Sequence, residues 1–252
     1  MKPTFLTYNK PLLCAMVQDD NPADMICTIE NSLYDGAEAF GIQLECLKRE
    51  YRTYETLKNI FSYCENKPIY ITSYRNAQSK GMTDDECVEL LLLGLDAGAT
   101  LLDVMGDFYH PEPHELTFDP DAVEKQKKLI AKIHEKGGEV LISSHLHAFF
   151  DEEKTLEYAL EQQARGADVV KIVGFAQTEE ELMADLHTAY RLNKELKSRF
   201  LYLANGKHCK LLRQIGARLG VCMYLCVQDY KPFSSKEQPR LRSMRIARDN
   251  MV

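Results

Sequence analysis

Apolar positions along this chain follow two rhythms. Short, nearly unbroken apolar runs occur at 12–17, 39–47, 68–74, 100–105, 139–145, 168–174, 200–204 and 221–227. They are rich in Val, Ile, Leu and Tyr and lack clean polar alternation, so they predict parallel strands buried on both faces. Between them lie amphipathic stretches with helical spacing at 21–34, 53–65, 84–97, 120–136, 152–165, 179–196, 209–219 and 239–249. Many carry start and stop signals. Asn21-Pro22, Thr83, Asp119-Pro120 and Thr178 stand at helix starts, and Gly137-Gly138 and Gly166 stand at helix ends.

Strand and helix alternate eight times without a linker, a low-complexity run or a break in composition. An open doubly wound sheet is the rival architecture, but eight βα units in a chain of this length fit a single (β/α)8 TIM barrel domain over 1–252. The third helix is apolar around more of its circumference than one buried stripe requires, through Leu90, Leu91, Leu92, Leu93 and Leu95. A helix that is apolar on two sides is usually covered on two sides, which predicts a subunit contact there and a homodimer.

Composition narrows the partners. The 252 residues hold 31 basic and 38 acidic side chains, a net charge of −7, with 45 % apolar and 27 % charged residues. That is the balance of a soluble globular protein. No apolar run approaches a membrane span, and an acidic chain argues against nonspecific nucleic-acid binding. The eight cysteines include no Cys-x-x-Cys pair, so the reading is buried free thiols in a reducing cytoplasm, with neither a disulfide scaffold nor a zinc site. The apolar stretch at 11–17 is too short and too late for a signal peptide, which again points to the cytoplasm.

In a (β/α)8 barrel the chemistry sits at the C-terminal ends of the strands. The sixth strand reads Asp168-Val169-Val170-Lys171-Ile172-Val173-Gly174. A lysine amid valines and isoleucines has little to snorkel along. Turned inward, it would be desolvated and disposed to act as a neutral nucleophile toward a carbonyl. The ordinary alternative is an ion-paired structural lysine. The fifth strand ends Ser143-Ser144-His145-Leu146-His147, which offers His145 and His147 as equal candidates for proton transfer. Arg75 ends the third strand, and Arg213 lies in the helix after the seventh. Either guanidinium suits a bidentate carboxylate clamp, and either is equally at home as a surface arginine. The polar loop 231–238 is long enough to fold over a ligand.

The run Ile142-Ser143-Ser144-His145, followed by Gly166-Ala167-Asp168-Val169-Val170-Lys171-Ile172, resembles the type I 3-dehydroquinate dehydratases. The resemblance spans nearly the whole chain in order. It implies a lyase of the (β/α)8 fold that forms a Schiff base between Lys171 and the ketone of dehydroquinate, with His145 as its histidine. Arg75 and Arg213 fall on the family's substrate-binding arginines, with Gly216 completing an Arg-x-x-Gly run. Ser234 and Gln238 fall on the lid loop's Ser-x-x-x-Gln. The implied partner is a small-molecule carboxylate and the product is 3-dehydroshikimate, a step of the shikimate pathway. No metal or organic cofactor is implied.

The chain also departs from the family pattern. The family's strand-two Glu-x-Arg reads Gly41 and Gln43, with Glu45 following, and the acid expected at the end of strand four reads Met105. The lid's Ala-Pro-Gly reads Ser235-Lys236-Glu237. The glutamate that orients the histidine reads Ser79. Its loss is expected to leave His145 without a neighbouring anion and to loosen its tautomer. Two other functions stay open at this point: an imine-forming lyase or aldolase of the same fold acting on another oxo acid, and a catalytically silent barrel with a binding role.

Overall fold

The structure is a computed structural model that describes residues 3–231 and 234–251. Its strands are β1 (Leu12–Val17), β2 (Ala39–Gln43), β3 (Ile69–Thr72), β4 (Leu101–Met105), β5 (Glu139–His145), β6 (Val169–Phe175), β7 (Arg199–Asn205) and β8 (Met223–Cys226). They alternate with α1 (Pro22–Asp35), α2 (Tyr54–Ser62), α3 (Asp84–Ala97), α4 (Pro120–Glu135), α5 (Glu152–Ala164), α6 (Glu179–Glu195), α7 (Lys210–Ile215) and α8 (Leu241–Met251). The strands form one sheet in the order β7-β6-β5-β4-β3-β2-β1-β8. The β1–β2, β2–β3, β3–β4, β5–β6 and β6–β7 ladders are all parallel, giving the (β/α)8 architecture.

The sequence signals act as expected. Every residue of β1, β3, β4 and β8 is buried, as strands covered on both faces require. Asn21, Asp119 and Asp151 each accept a backbone N–H at the start of α1, α4 and α5, while Thr83 and Thr178 close capping boxes with Glu86 and Glu181. The apolar run at 39–47 is strand only to Gln43. Beyond it the chain turns, with Cys46 N–H bonded to the Gln43 carbonyl. The helical stretch at 209–219 divides into α7 and a 3-10 turn at Gly216–Leu219.

Internal contacts group the chain into two compact units. One comprises the described residues of Met1–Tyr8, Leu12–Asp103 and Leu225–Val252, and the other Asn9–Pro11 and Val104–Tyr224. In the first unit α3 buries Leu90, Leu91 and Leu95, packs on α2, and leaves Leu92 and Leu93 half-buried. Much of the leucine surplus in α3 is thus covered within the chain. Among the described residues no cysteine is in a disulfide, and six of the eight are buried. Among the described residues no helix is long and apolar enough to cross a membrane.

Candidate active site

The unit containing β5, β6 and β7 holds Lys171, His145, His147 and Arg213. Register and hydrogen bonds fix which face each presents. Ser144, Ile172 and Tyr202 are level across the three strands. Ser144 Oγ accepts from Gln162 of α5 at 2.9 Å, and Tyr202 donates to Asp185 of α6 at 2.6 Å. That row faces the helices. Successive strand residues alternate sides, so Ser143, Lys171 and Leu201 face away from α5 and α6, as do His145, Val173 and Leu203.

Lys171 is 4 % exposed. Its backbone is clamped at both polar atoms by Gln162, which is fully buried. Lys171 N–H donates to Gln162 Oε1 at 3.0 Å, and Gln162 Nε2 donates to the Lys171 carbonyl at 3.2 Å. His145 stands two residues farther along the adjacent strand on the same face. At about 3.3 Å per residue and 4.8 Å between strands, the two Cα atoms are roughly 8 Å apart, a span that one ring-sized ligand bridges. His145 Nδ1 meets Glu115 Oε2 at 2.5 Å, both side chains being about a quarter exposed.

This pair corrects the expectation that His145 lacks a neighbouring carboxylate. Ser79, where the family has its glutamate, is buried and accepts from Arg52. The anion comes instead from the segment after β4. No motif marks Glu115 in the sequence; the only signal is an unusually polar loop, His110-Pro111-Glu112-Pro113-His114-Glu115. His147, equal to His145 in the sequence, lies past the end of β5. It is exposed, with its backbone N–H on His114 Nδ1 at 3.3 Å.

Arg213 is 6 % exposed and is anchored at the C-terminal end of β7. Its Nε donates to the Ala204 carbonyl and one terminal nitrogen donates to Asn205 Oδ1, both at 2.7 Å.

The other unit holds the remaining candidates. Arg75 pairs bidentately with Asp84 at the start of α3, at 2.6 and 3.0 Å. The loop after β8 is rooted by Lys231, whose ammonium contacts the buried Asp19 at 2.5 Å, and Ser234 Oγ accepts from Lys231 N–H at 3.1 Å. Pro232 and Phe233 of that loop lie outside the described residues. Gln238 is 7 % exposed. Its carbonyl accepts from Tyr230 at 2.9 Å, while its side-chain oxygen is buried with no partner among the described residues.

Within this unit, past the C-terminal ends of β1, β2 and β3, lies a cavity of about 540 Å³. Its wall includes a relay of polar side chains. Gln18 donates to Gln43, Gln43 donates to Glu45 Oε1 at 3.0 Å, and Thr72 donates to both Glu45 oxygens at 3.0 and 2.8 Å. Burial pushes the Glu45 carboxyl up to about 7 against the lowering effect of Thr72. The space of the missing strand-two glutamate is filled. A Cβ on Gly41 would stand 2.3 Å from Met16 Sδ and 3.2 Å from the Tyr70 ring. Tyr70 and Tyr74 both donate to Asp103 Oδ2, Tyr74 at 2.6 Å, and burial with that carboxylate raises both phenols well above their ordinary range.

Comparison with known proteins gives a family and a fold. A family model described as type I 3-dehydroquinase matches residues 13–248. Among curated proteins none matches significantly. Among solved structures, the 3-dehydroquinate dehydratase from Geobacillus kaustophilus superposes with a TM-score of 0.81 at 15 % identity, over 96 % of this chain and 91 % of that one. The type I enzyme from Clostridium difficile, bearing covalently modified comenic acid, gives 0.80 at 17 % identity over 98 % and 94 %. The Enterococcus faecalis 3-dehydroquinate dehydratase gives 0.75 at 13 % identity over 98 % of both. At such identities the structural likeness speaks for the fold, while the family match covers nearly the full chain.

Proposed function

Since this chain belongs to the type I 3-dehydroquinase family, whose members are hydro-lyases, we propose that it dehydrates 3-dehydroquinate through an imine formed on Lys171. The observation that carries this reading is a buried lysine on the same sheet face as His145, two residues away in register on the neighbouring strand.

Lys171 Nζ adds to the substrate ketone, and the resulting carbinolamine loses water to give a protonated imine. Nitrogen now carries the positive charge, which acidifies the carbon adjacent to the imine carbon. His145 assists proton transfer in forming the imine, then takes the proton from that carbon. The electron pair left behind expels the hydroxyl on the next carbon, and His145 delivers a proton to it so that it leaves as water. A second water hydrolyses the imine, releases 3-dehydroshikimate and restores the amine. General acid–base assistance of this kind contributes about 10²–10⁴ in rate.

By the same family resemblance Arg213 holds the substrate carboxylate, and Arg75 supplies positive potential or binds a hydroxyl. Ser234 and Gln238 close over the ring and exclude water, which strengthens every polar contact to the substrate. No step calls on a metal or an organic cofactor.

Borohydride added with 3-dehydroquinate should fix the reduced ligand on the peptide containing Lys171, as read by mass spectrometry. Protein that turns the substrate over yet acquires no mass on that peptide would reject the imine.

A second reading is an imine-forming lyase or aldolase of the same fold acting on another oxo acid, motivated by Gly41 and Gln43 standing where the family has its strand-two Glu-x-Arg. A kcat/KM orders of magnitude higher on such a compound than on 3-dehydroquinate would establish it.

A further inference from the structure

We propose that Glu115 is the positioning residue for His145, and that the segment between β4 and α4 is built to deliver its carboxylate. This inference rests on the proposed reaction only in taking His145 as the proton-transfer group.

The Nδ1–Oε2 contact of 2.5 Å needs a proton between the two atoms. With the carboxylate ionised, that proton sits on Nδ1. The imidazole is then held in one tautomer and its Nε2 lone pair is left to act as base. An ion pair at a quarter exposure is ordinarily worth little when both side chains are free to wander. Here the backbone carrying Glu115 is fixed on several sides.

Glu115 itself adopts a left-handed conformation, φ 52°, uncommon for a residue with a side chain. Its carbonyl accepts from Ser144 Oγ at 2.9 Å, and Ser144 Oγ accepts from the same Gln162 that clamps the Lys171 backbone. The groups that set the lysine and the loop that sets the histidine therefore share one buried hydrogen-bond network. The two ends of the segment are also tied together. Thr117 N–H donates to the Gly106 carbonyl at 3.1 Å, and Gly106 N–H donates to the Ser143 carbonyl at 2.8 Å.

Two buried side chains complete the frame. Arg165 donates to the carbonyls of Gly106 and Thr117 and to Gln126 Oε1, and Gln126 donates to the carbonyls of Gly106 and Phe108. Leu116, next to Glu115, is 2 % exposed. At Gly106 a Cβ would stand 2.6 Å from the Glu115 carbonyl, so only a glycine lets the two strands of the loop lie this close. Burying a guanidinium and a carboxamide against loop carbonyls is costly unless their partners are fixed. A rim ion pair needs no such frame; a positioned carboxylate does.

The test uses the full-length chain with Glu115→Ala and Glu115→Gln, each assayed for turnover, for borohydride capture of 3-dehydroquinate on Lys171, and by ¹⁵N NMR of the imidazole nitrogens. In the unaltered protein His145 should show one tautomer, protonated on Nδ1. Glu115→Ala should populate both tautomers and lower kcat by about 10- to 100-fold, with KM changed by less than about threefold and imine capture retained. Glu115→Gln, whose side-chain oxygen still accepts from Nδ1, should recover the single tautomer and part of the rate. Unchanged kcat and tautomer in Glu115→Ala overturn the proposal while leaving the imine chemistry standing. Equal losses in kcat for both variants with the tautomer intact overturn it as well, since they report only a damaged loop. Absence of imine capture in the unaltered protein instead overturns the underlying function.

Discussion

At the scale of single residues, what decides the chemistry is where polar atoms are held. Lys171 is buried in a strand of valines, with Gln162 satisfying its backbone, so its amine is presented on the face opposite the helices. His145 is level with Val173 and shares that face. The two roles in the proposed reaction separate cleanly by mutation. His145→Ala should lower kcat by about 10²-fold or more, the range for loss of a general acid–base, while borohydride still captures substrate on Lys171. Turnover at the unaltered rate, measured by appearance of the product's absorbance, removes His145 from the mechanism.

At the scale of elements, the segment from Gly106 to Thr117 carries the most consequence. Gly106→Ala should push the Glu115 carbonyl away and break its bond from Ser144. We expect a loss of stability of about 1–3 kcal/mol in denaturant melts, with a fall in kcat larger than any change in KM. A variant as stable and as active as the parent shows that the loop has slack. The strands and helices themselves were legible in the sequence, because β1, β4, β5 and α3 each carry their own signal in apolar spacing and caps. Lys171 was legible for the same reason, as a charge inside an apolar run. Glu115 was not. Its partner is 30 residues away, and its placement depends on Arg165, Gln126 and Gly106, none of which has a pattern of its own. Gly41 read as a lost contact in the sequence; only packing shows Met16 and Tyr70 already occupying that space.

At the scale of the whole molecule, pH acts on stability through buried carboxyls. Burial raises Glu45 from 4.5 to about 7, and burial raises Asp185 from 3.8 to about 6 against its bond from Tyr202. Between its unfolded and folded values each group binds more protons in the native state. Native stability therefore falls as pH rises from about 4 to about 7, then levels off. The carboxylates Glu86, exposed, and Glu152, partly exposed, are shifted down by their hydrogen bonds and act in the opposite sense, but only below about pH 4.5 and weakly. Glu45 alone accounts for roughly 3 kcal/mol of the decline. Urea midpoints taken from pH 5 to pH 8 should fall in the parent and fall less steeply in Glu45→Gln. Identical slopes would show Glu45 ionising at an ordinary pH. A calorimetric consequence follows from the same two acids. Near neutrality this polypeptide must absorb hydrogen ions from its surroundings as it folds and return them as it melts. Its transition heat should therefore differ between phosphate and Tris at one pH, in proportion to each buffer's enthalpy of ionisation.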